Sequence, residues 1–361
     1  MINSEHRARL SLYRMPPEWA PHLACYLVWP HNRETWPGKF EVIPPIYAGM
    51  VAAIAQFEPV RLLVNDANEI ESVREMIRKA AADIADADSI MRNVYAFHVP
   101  TNDSWARDHG PIFVNRIDAG GGPAQIALDW GFNSWGEKYG AFDLDDAVPM
   151  RLGERYGFEV LQPGIVLEGG SIEVNGAGSI LTTESCLLNP NRNPQLGRNE
   201  IEDYLKTYLG TSHVIWLGEG IAGDDTDGHI DDLARFTAPD TILTVLEDDP
   251  SDDNYSVLQE NHARLESVRD QDGRPFKIET LPMPPSQVYD GTRMPASYAN
   301  FYIANGGIVM PTFDCPQDAA AAATLARLFP GRRVVGVPSF DLVWGLGSVH
   351  CLSQQHPIPP R

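Results

Sequence analysis

The chain has 361 residues, 43% hydrophobic and 21% charged, and a formal net charge of −21. There is ample apolar material for a core, and the length suits two domains or one large repetitive one. An acidity this strong argues against nucleic acid and anionic membrane as partners and favours a cationic ligand.

No apolar run approaches the length of a membrane span, and Met1 to Tyr13 is charged with no apolar export core. Cys25, Cys186, Cys315 and Cys351 are widely spaced with no C-x-x-C pair, which argues against a disulfide scaffold or thiolate zinc site. The expectation is a reduced, cytoplasmic protein.

In chain order, Met15-Pro-Pro-Glu-Trp-Ala-Pro-His22 is turn-rich and Cys25 to Pro30 reads as a buried strand. A helix is predicted from about Pro45 to Phe57, ahead of a strand over Val60 to Val64. Asn68 to Ala85 then places Ile70, Val73, Ile77, Ala81 and Ile84 at helical spacing, followed by a strand over Val94 to Val99. The polar loop Thr101 to Pro111 comes next. That order returns four times: helices over 145–155, 200–208, 254–268 and 318–329, and strands over 158–161, 214–217, 276–281 and 332–337. Each strand leads into a loop.

Five helix–strand–loop units therefore recur, with negligible sequence identity between them. Arranged around an axis, they would bring Asp108, Glu168, His229 and Cys351 to one end. A doubly wound sheet is the alternative, but no G-x-G-x-x-G or Walker-type loop follows any strand.

The densest polar stretch is Gly223-Asp-Asp-Thr-Asp-Gly-His-Ile-Asp-Asp-Leu-Ala-Arg-Phe236. If it is extended from Gly228 onward, His229 and Asp231 point to one side. An imidazole beside a carboxylate can move protons near neutral pH. Cys351 follows Gly345, Gly347 and Ser348, and a cysteine paired with His229 suits covalent thiolate chemistry. Asp108 and Asp231 could hold a planar cation by paired hydrogen bonds. Alone, each has a plainer reading: a solvated acidic turn, a buried thiol, a salt-bridged carboxylate. An EF-hand reading of the aspartates fails, since its first and twelfth ligands would be Gly223 and Ala234.

Taken together, several motifs strongly resemble the agmatine deiminase family. They are Met15-Pro-Pro-Glu-Trp19, Trp29-Pro-His-Asn32, Trp105-x-Arg-Asp-x-Gly-Pro111, Asp129-Trp-x-Phe-Asn133 and Glu168-Gly-Gly170. Glu184 to Asn193, Asp225 to Asp231, Ala296 to Gly307 and His350-Cys351 complete the set, in order along the whole chain. The resemblance implies one catalytic domain over 1–361, with the α/β fold of the guanidine-modifying superfamily, a five-bladed α/β propeller. It implies Cys351 as nucleophile, His229 as general acid and base, Asp108 and Asp231 on the guanidinium, and Trp105, Glu168 and Asp225 lining the pocket. It also implies no metal or organic cofactor, agmatine as a small cationic substrate, and a homo-oligomer.

Many members have asparagine where this chain has Asp227 and Asp232, and a glycine triplet where it has Gly345-Leu-Gly347. These departures flank the site and leave its chemical residues in place. Deimination of another guanidine, such as peptidyl-arginine, and a non-catalytic polyamine-binding scaffold are the alternatives. The intact Cys351, His229, Asp108 and Asp231 argue against the scaffold.

Overall fold

In the computed structural model, which describes residues 2, 4–84, 86–118 and 120–360, strands and helices alternate and the strands gather into small separate sheets. The protein is an α/β fold. Five sheets hold three or four strands each, and Val288–Tyr289 with Thr292–Arg293 forms a two-stranded ribbon.

Four sheets share one construction: an antiparallel pair, a crossover helix, then a strand added in parallel. In the first of them, Ile112–Arg116 pairs with Gln125–Leu128, helix Val148–Tyr156 crosses, and Glu159–Leu161 joins. The order repeats in Glu173–Val174, Ser179–Thr183, helix Arg198–Leu209 and His213–Leu217. It repeats again in Ala234–Ala238, Thr241–Leu246, helix Tyr255–Ser267 and Lys277–Pro282. The last is Tyr302–Ile303, Gly307–Thr312, helix Pro316–Leu328 and Arg333–Pro338. A helix separates each parallel pair because a parallel strand cannot be reached by a tight turn.

The fifth sheet is built from both ends of the chain. Ser353–Pro357 runs antiparallel to His22–Val28, which is followed by helix Ile43–Ala55 and the parallel strand Val60–Val64. This corrects the expected first unit. Helix Ile70–Ala82 and strand Val94–His98 found no sheet of their own; they extend the one that the chain ends share. The tail of that predicted helix at Ala85 lies outside the described residues.

The two helices of this sheet differ in burial for a physical reason. Ile70–Ala82 buries Val73, Ile77 and Ala81, a single i, i+4, i+8 stripe, and leaves its charged face to water. Ile43–Ala55 buries nine of its 13 residues and packs among Trp36, Tyr302 and Leu342, so it carries almost no polar face. Each fully buried Ile or Val there contributes about 1.5–3 kcal/mol relative to exposure.

One loop stands just ahead of the first antiparallel strand in every sheet. Asp108 sits in the short helix before Ile112–Arg116, and Glu168 precedes Glu173–Val174. His229 and Asp231 precede Ala234–Ala238, Asn300 precedes Tyr302–Ile303, and Cys351 precedes Ser353–Pro357.

Candidate active site

Cys351 is buried, and its sulfur is fixed from two sides. Asn300 Nδ2 donates to Sγ over 2.9 Å, and Asp231 Oδ2 lies 3.7 Å away. Asn300 Oδ1 also accepts from the Cys351 backbone N–H at 3.3 Å, from His350 N–H at 2.9 Å and from Ser348 Oγ at 2.8 Å, so one amide shapes the whole turn. Burial pushes the thiol well above its usual range, and the charges of Asp231, Asp232 and Asp108 add to this; the Asn300 hydrogen bond opposes them.

His229 lies on the Gly223–Phe236 stretch, which is not the expected strand. His229 itself is extended, but Ile230–Asp232 form a 3-10 turn and the strand begins only at Ala234. Asp224 makes that turn. Its carboxylate accepts from Thr226 N–H at 2.7 Å, Thr226 Oγ at 2.5 Å and His229 N–H at 3.1 Å. Gly228, at φ +99°, permits the reversal, and a Cβ there would lie 2.4 Å from Ser185 Oγ.

The imidazole of His229 is held between carboxylates, with Nδ1 3.7 Å from Asp108 Oδ1 and Nε2 4.0 Å from Glu168 Oε2. Burial alone would strip its proton. Asp108, Cys186 and Glu168 outweigh burial and hold the ring well above an ordinary histidine. Gly170 allows this approach: a Cβ would stand 2.5 Å from His229 Nδ1 and 2.8 Å from Asp108 Oδ1. Asp108 is itself oriented by Trp135 Nε1 on Oδ2 and the Gly170 N–H on Oδ1, both at 3.0 Å.

Asp231 differs from Asp108 in having an imidazole within hydrogen-bond distance of one oxygen. His350 Nδ1 lies 2.6 Å from Oδ2, while Oδ1 has no hydrogen-bond partner among the described residues. Burial would raise the Asp231 carboxyl, but the His350 hydrogen bond and charge, with His229 and Arg235 behind them, hold it below its usual value. Its neighbour Asp232 goes the other way. Burial, then Asp231 and Asp224, drive it well above the usual carboxylate range, and it accepts from Asn300 Nδ2 at 3.0 Å.

A cavity of about 570 Å³ opens onto this centre, and Trp105, Asp108, Asp225 and Cys351 are on its wall. Glu168, expected on the wall, is instead fully buried behind it, with Arg192 Nε donating to Oε1 at 2.8 Å. Asp225 is half-exposed and already occupied: Lys138 Nζ lies 3.2 Å from Oδ1 and Tyr139 OH donates to Oδ2 at 2.6 Å. Asp227 is paired with Lys138 and Arg192 and serves the loop, not the cavity. Farther along the wall, burial raises Asp103 to about 6 and Asp145 to about 7.

Several supporting residues escaped the sequence reading: Asn300, His350, Glu18, Arg107, Arg235, Trp135, Cys186 and Arg192. Most lie inside the motifs that carried the resemblance, but none has a local pattern that says which partner it meets. Three buried groups could hold a metal ion by donor type and proximity: Glu168, Cys186 and His229; Glu18, Glu173 and His350; and Asp231, Asp232 and Cys351. In the second group two cations, Arg235 and Arg107, already face the carboxylates.

Known proteins resemble this chain over nearly its whole length. Residues 14–357 match the Porphyromonas-type peptidyl-arginine deiminase family. The agmatine deiminase of Ectopseudomonas mendocina is 38% identical over 370 residues, covering 96% of each chain. That of Pseudomonas aeruginosa is 37% identical over the full length of both. Among solved structures, the agmatine deiminase of Enterococcus faecalis superposes with a TM-score of 0.89 at 30% identity, covering 100% of this chain and 99% of that one. A substituted C. jejuni agmatine deiminase with substrate bound gives 0.84 at 32%, covering 97% of each. The chain belongs to the Porphyromonas-type peptidyl-arginine deiminase family.

Proposed function

We propose that this protein hydrolyses agmatine to N-carbamoylputrescine and ammonia, a step of polyamine biosynthesis. The observation that carries this reading is the sign of the cavity wall. Glu34, Asp103, Asp108, Asp145 and Asp225 line it with Cys351, and no Lys or Arg does so among the described residues. A guanidine with a distal ammonium suits such a wall; the carboxylate of free arginine would be repelled by it. Agmatine deiminases among the relatives support the same substrate.

Chemically, a guanidinium is a poor electrophile because its charge is spread over three nitrogens. Asp108 and the free Oδ1 of Asp231 hold it in one orientation and favour the charge-localised, tetrahedral state. The arriving cation also offsets the carboxylate charge that disfavours the Cys351 thiolate, so substrate binding itself favours the thiolate, and the thiol's proton is released to water as the substrate enters. Sγ attacks the guanidinium carbon, protonated His229 gives its proton to the departing nitrogen, and ammonia leaves. A water deprotonated by His229 then attacks the thiouronium carbon and breaks the C–S bond, giving the ureido product.

The five sheets, each contributing one loop to the site, support their arrangement as five blades around an axis.

Ammonia release measured on agmatine, arginine, butylguanidine and a peptide with internal arginine tests the substrate reading. Agmatine should lead by at least tenfold in kcat/KM. A peptide turned over as well as agmatine would overturn it.

A further inference from the structure

The motif Met15-Pro-Pro-Glu-Trp19 takes no part in the chemistry above, yet its Glu18 is buried. Glu18 Oε1 accepts from the Ile303 N–H at 2.8 Å. Its Oε2 lies 2.7 Å from both Arg235 Nη2 and His350 Nε2, and 3.6 Å from Arg107 Nη2. The other nitrogen of the same imidazole, Nδ1, lies 2.6 Å from Asp231 Oδ2. His350 is thus suspended between two carboxylates, one from the N-terminal segment and one in the active site.

Carboxylate oxygens of ionised acids only accept hydrogen bonds. Glu18 is held well below the usual range, since Arg235, His350 and Arg107 outweigh the burial that would raise it. Asp231 is lowered as well. A ring that satisfies both must carry hydrogens on both nitrogens. Among the described residues Asp231 has no Arg or Lys within ion-pair distance, so a neutral ring would leave this buried carboxylate with no cation paired to its Oδ2.

We infer that Glu18 and His350 are positioning residues for the reaction: Glu18 fixes a doubly protonated His350, which clamps one oxygen of Asp231 and leaves the other aimed at the guanidinium. The inference rests on the guanidine-hydrolysing reading above. Neither residue touches substrate; both act through Asp231. The groups around Asp231 are His350, Cys351, His229, Asp232, Asp108 and Arg235. Those around His350 are Glu18, Glu173, Asp231, Arg107 and Arg235.

The test is the pH profile of kcat/KM for agmatine in the parent, Glu18→Gln, His350→Asn and Glu173→Gln. Without the charge on His350, Asp231 takes up its proton at higher pH, so the acidic limb moves upward. Glu18→Gln and His350→Asn should lose tenfold or more, about one charged hydrogen bond, with the limb raised by roughly one pH unit. Glu173→Gln breaks an ion pair to the same Arg235 but spares the His350 clamp, so its limb should stay where the parent's is. Limbs unmoved in both clamp variants, or moved equally in Glu173→Gln, would overturn the inference. Should the variants fail to fold, nitrogen NMR of the parent decides: both ring nitrogens of His350 should be protonated at pH 7, and a neutral tautomer would overturn the assignment. A parent without turnover on agmatine would instead count against the substrate reading and leave the NMR result standing.

Discussion

Asn300 grips Cys351 at two points: its Nδ2 donates to the sulfur at 2.9 Å while its Oδ1 accepts from the cysteine's own N–H at 3.3 Å. The amide is the group that favours the thiolate against burial and the neighbouring acidic side chains. Asn300→Ala should lower kcat/KM for agmatine about 10- to 150-fold, the range of a hydrogen bond to a charged group, and raise the pH at which inactivation by a thiol alkylator sets in. Cys351→Ser should abolish turnover and retain agmatine binding by calorimetry, because the hydroxyl has no base strong enough to activate it. Alkylation of Asn300→Ala with the parent's pH dependence would remove the amide from this role.

His229 and Asp108 are coupled, and the sign of the coupling is testable. Burial lowers the affinity of His229 for its proton, and Asp108 is the largest opposing influence. In Asp108→Asn the histidine should lose its proton at lower pH, moving the basic limb of kcat downward along with a loss of about 10²–10³ in rate. The stability contribution has the same sign. It is complete below about 6.5, the unfolded histidine's value, and fades as pH rises through the raised folded value. A basic limb unchanged in Asp108→Asn would break the link.

Asp232 is a position where the family resemblance leads one to expect asparagine, and its environment suits either residue. Burial beside Asp231 and Asp224 favours the neutral acid, which resembles an amide in shape and charge. Asp232→Asn should leave kcat/KM for agmatine within about threefold of the parent, inside the scatter of an uncharged hydrogen bond. A hundredfold fall would mean that Asp232 works as an anion.

Gly170 is a close approach of backbone to the site. Its missing side chain is what lets His229 and Asp108 approach the Gly169–Ser171 turn. Gly170→Ala should displace both by a fraction of an ångström and cost about 100-fold in kcat, with little change in thermal stability if the displaced groups can shift. Parent-like kinetics would show that the imidazole has room to spare.

Asp225 carries the least firmly placed role. Tied to Lys138 and Tyr139, its charge is partly spent before substrate arrives. Asp225→Asn should lower kcat/KM for agmatine by about fivefold, as for a half-exposed ion pair worth about 1 kcal/mol, and leave butylguanidine nearly unchanged. Equal losses on both would assign Asp225 to the loop and the distal ammonium to the Asp103 and Asp145 corner.

The amino-acid sequence by itself determined the alternation of helices and strands. Periodicity and turn residues are local properties, so Val73, Ile77 and Ala81 mark their helix without reference to anything distant. Cys351, His229, Asp108 and Asp231 were singled out by the family resemblance of their motifs, since residue chemistry alone leaves each a plainer structural reading. Tertiary structure decided the rest. That Ser353–Pro357 seals His22–Val28, and that Ile70–Ala82 joins their sheet, depends on pairing between distant segments, which no local window contains. The charge states are likewise a product of the folded interior. The carboxyl of Asp231 is held below its usual range by His350 and that of Asp232 is pushed above it by burial, although they are adjacent in sequence and chemically identical. What separates them is the neighbour each meets once water is gone: a cation held in place by Glu18 for one, two further carboxylates for the other.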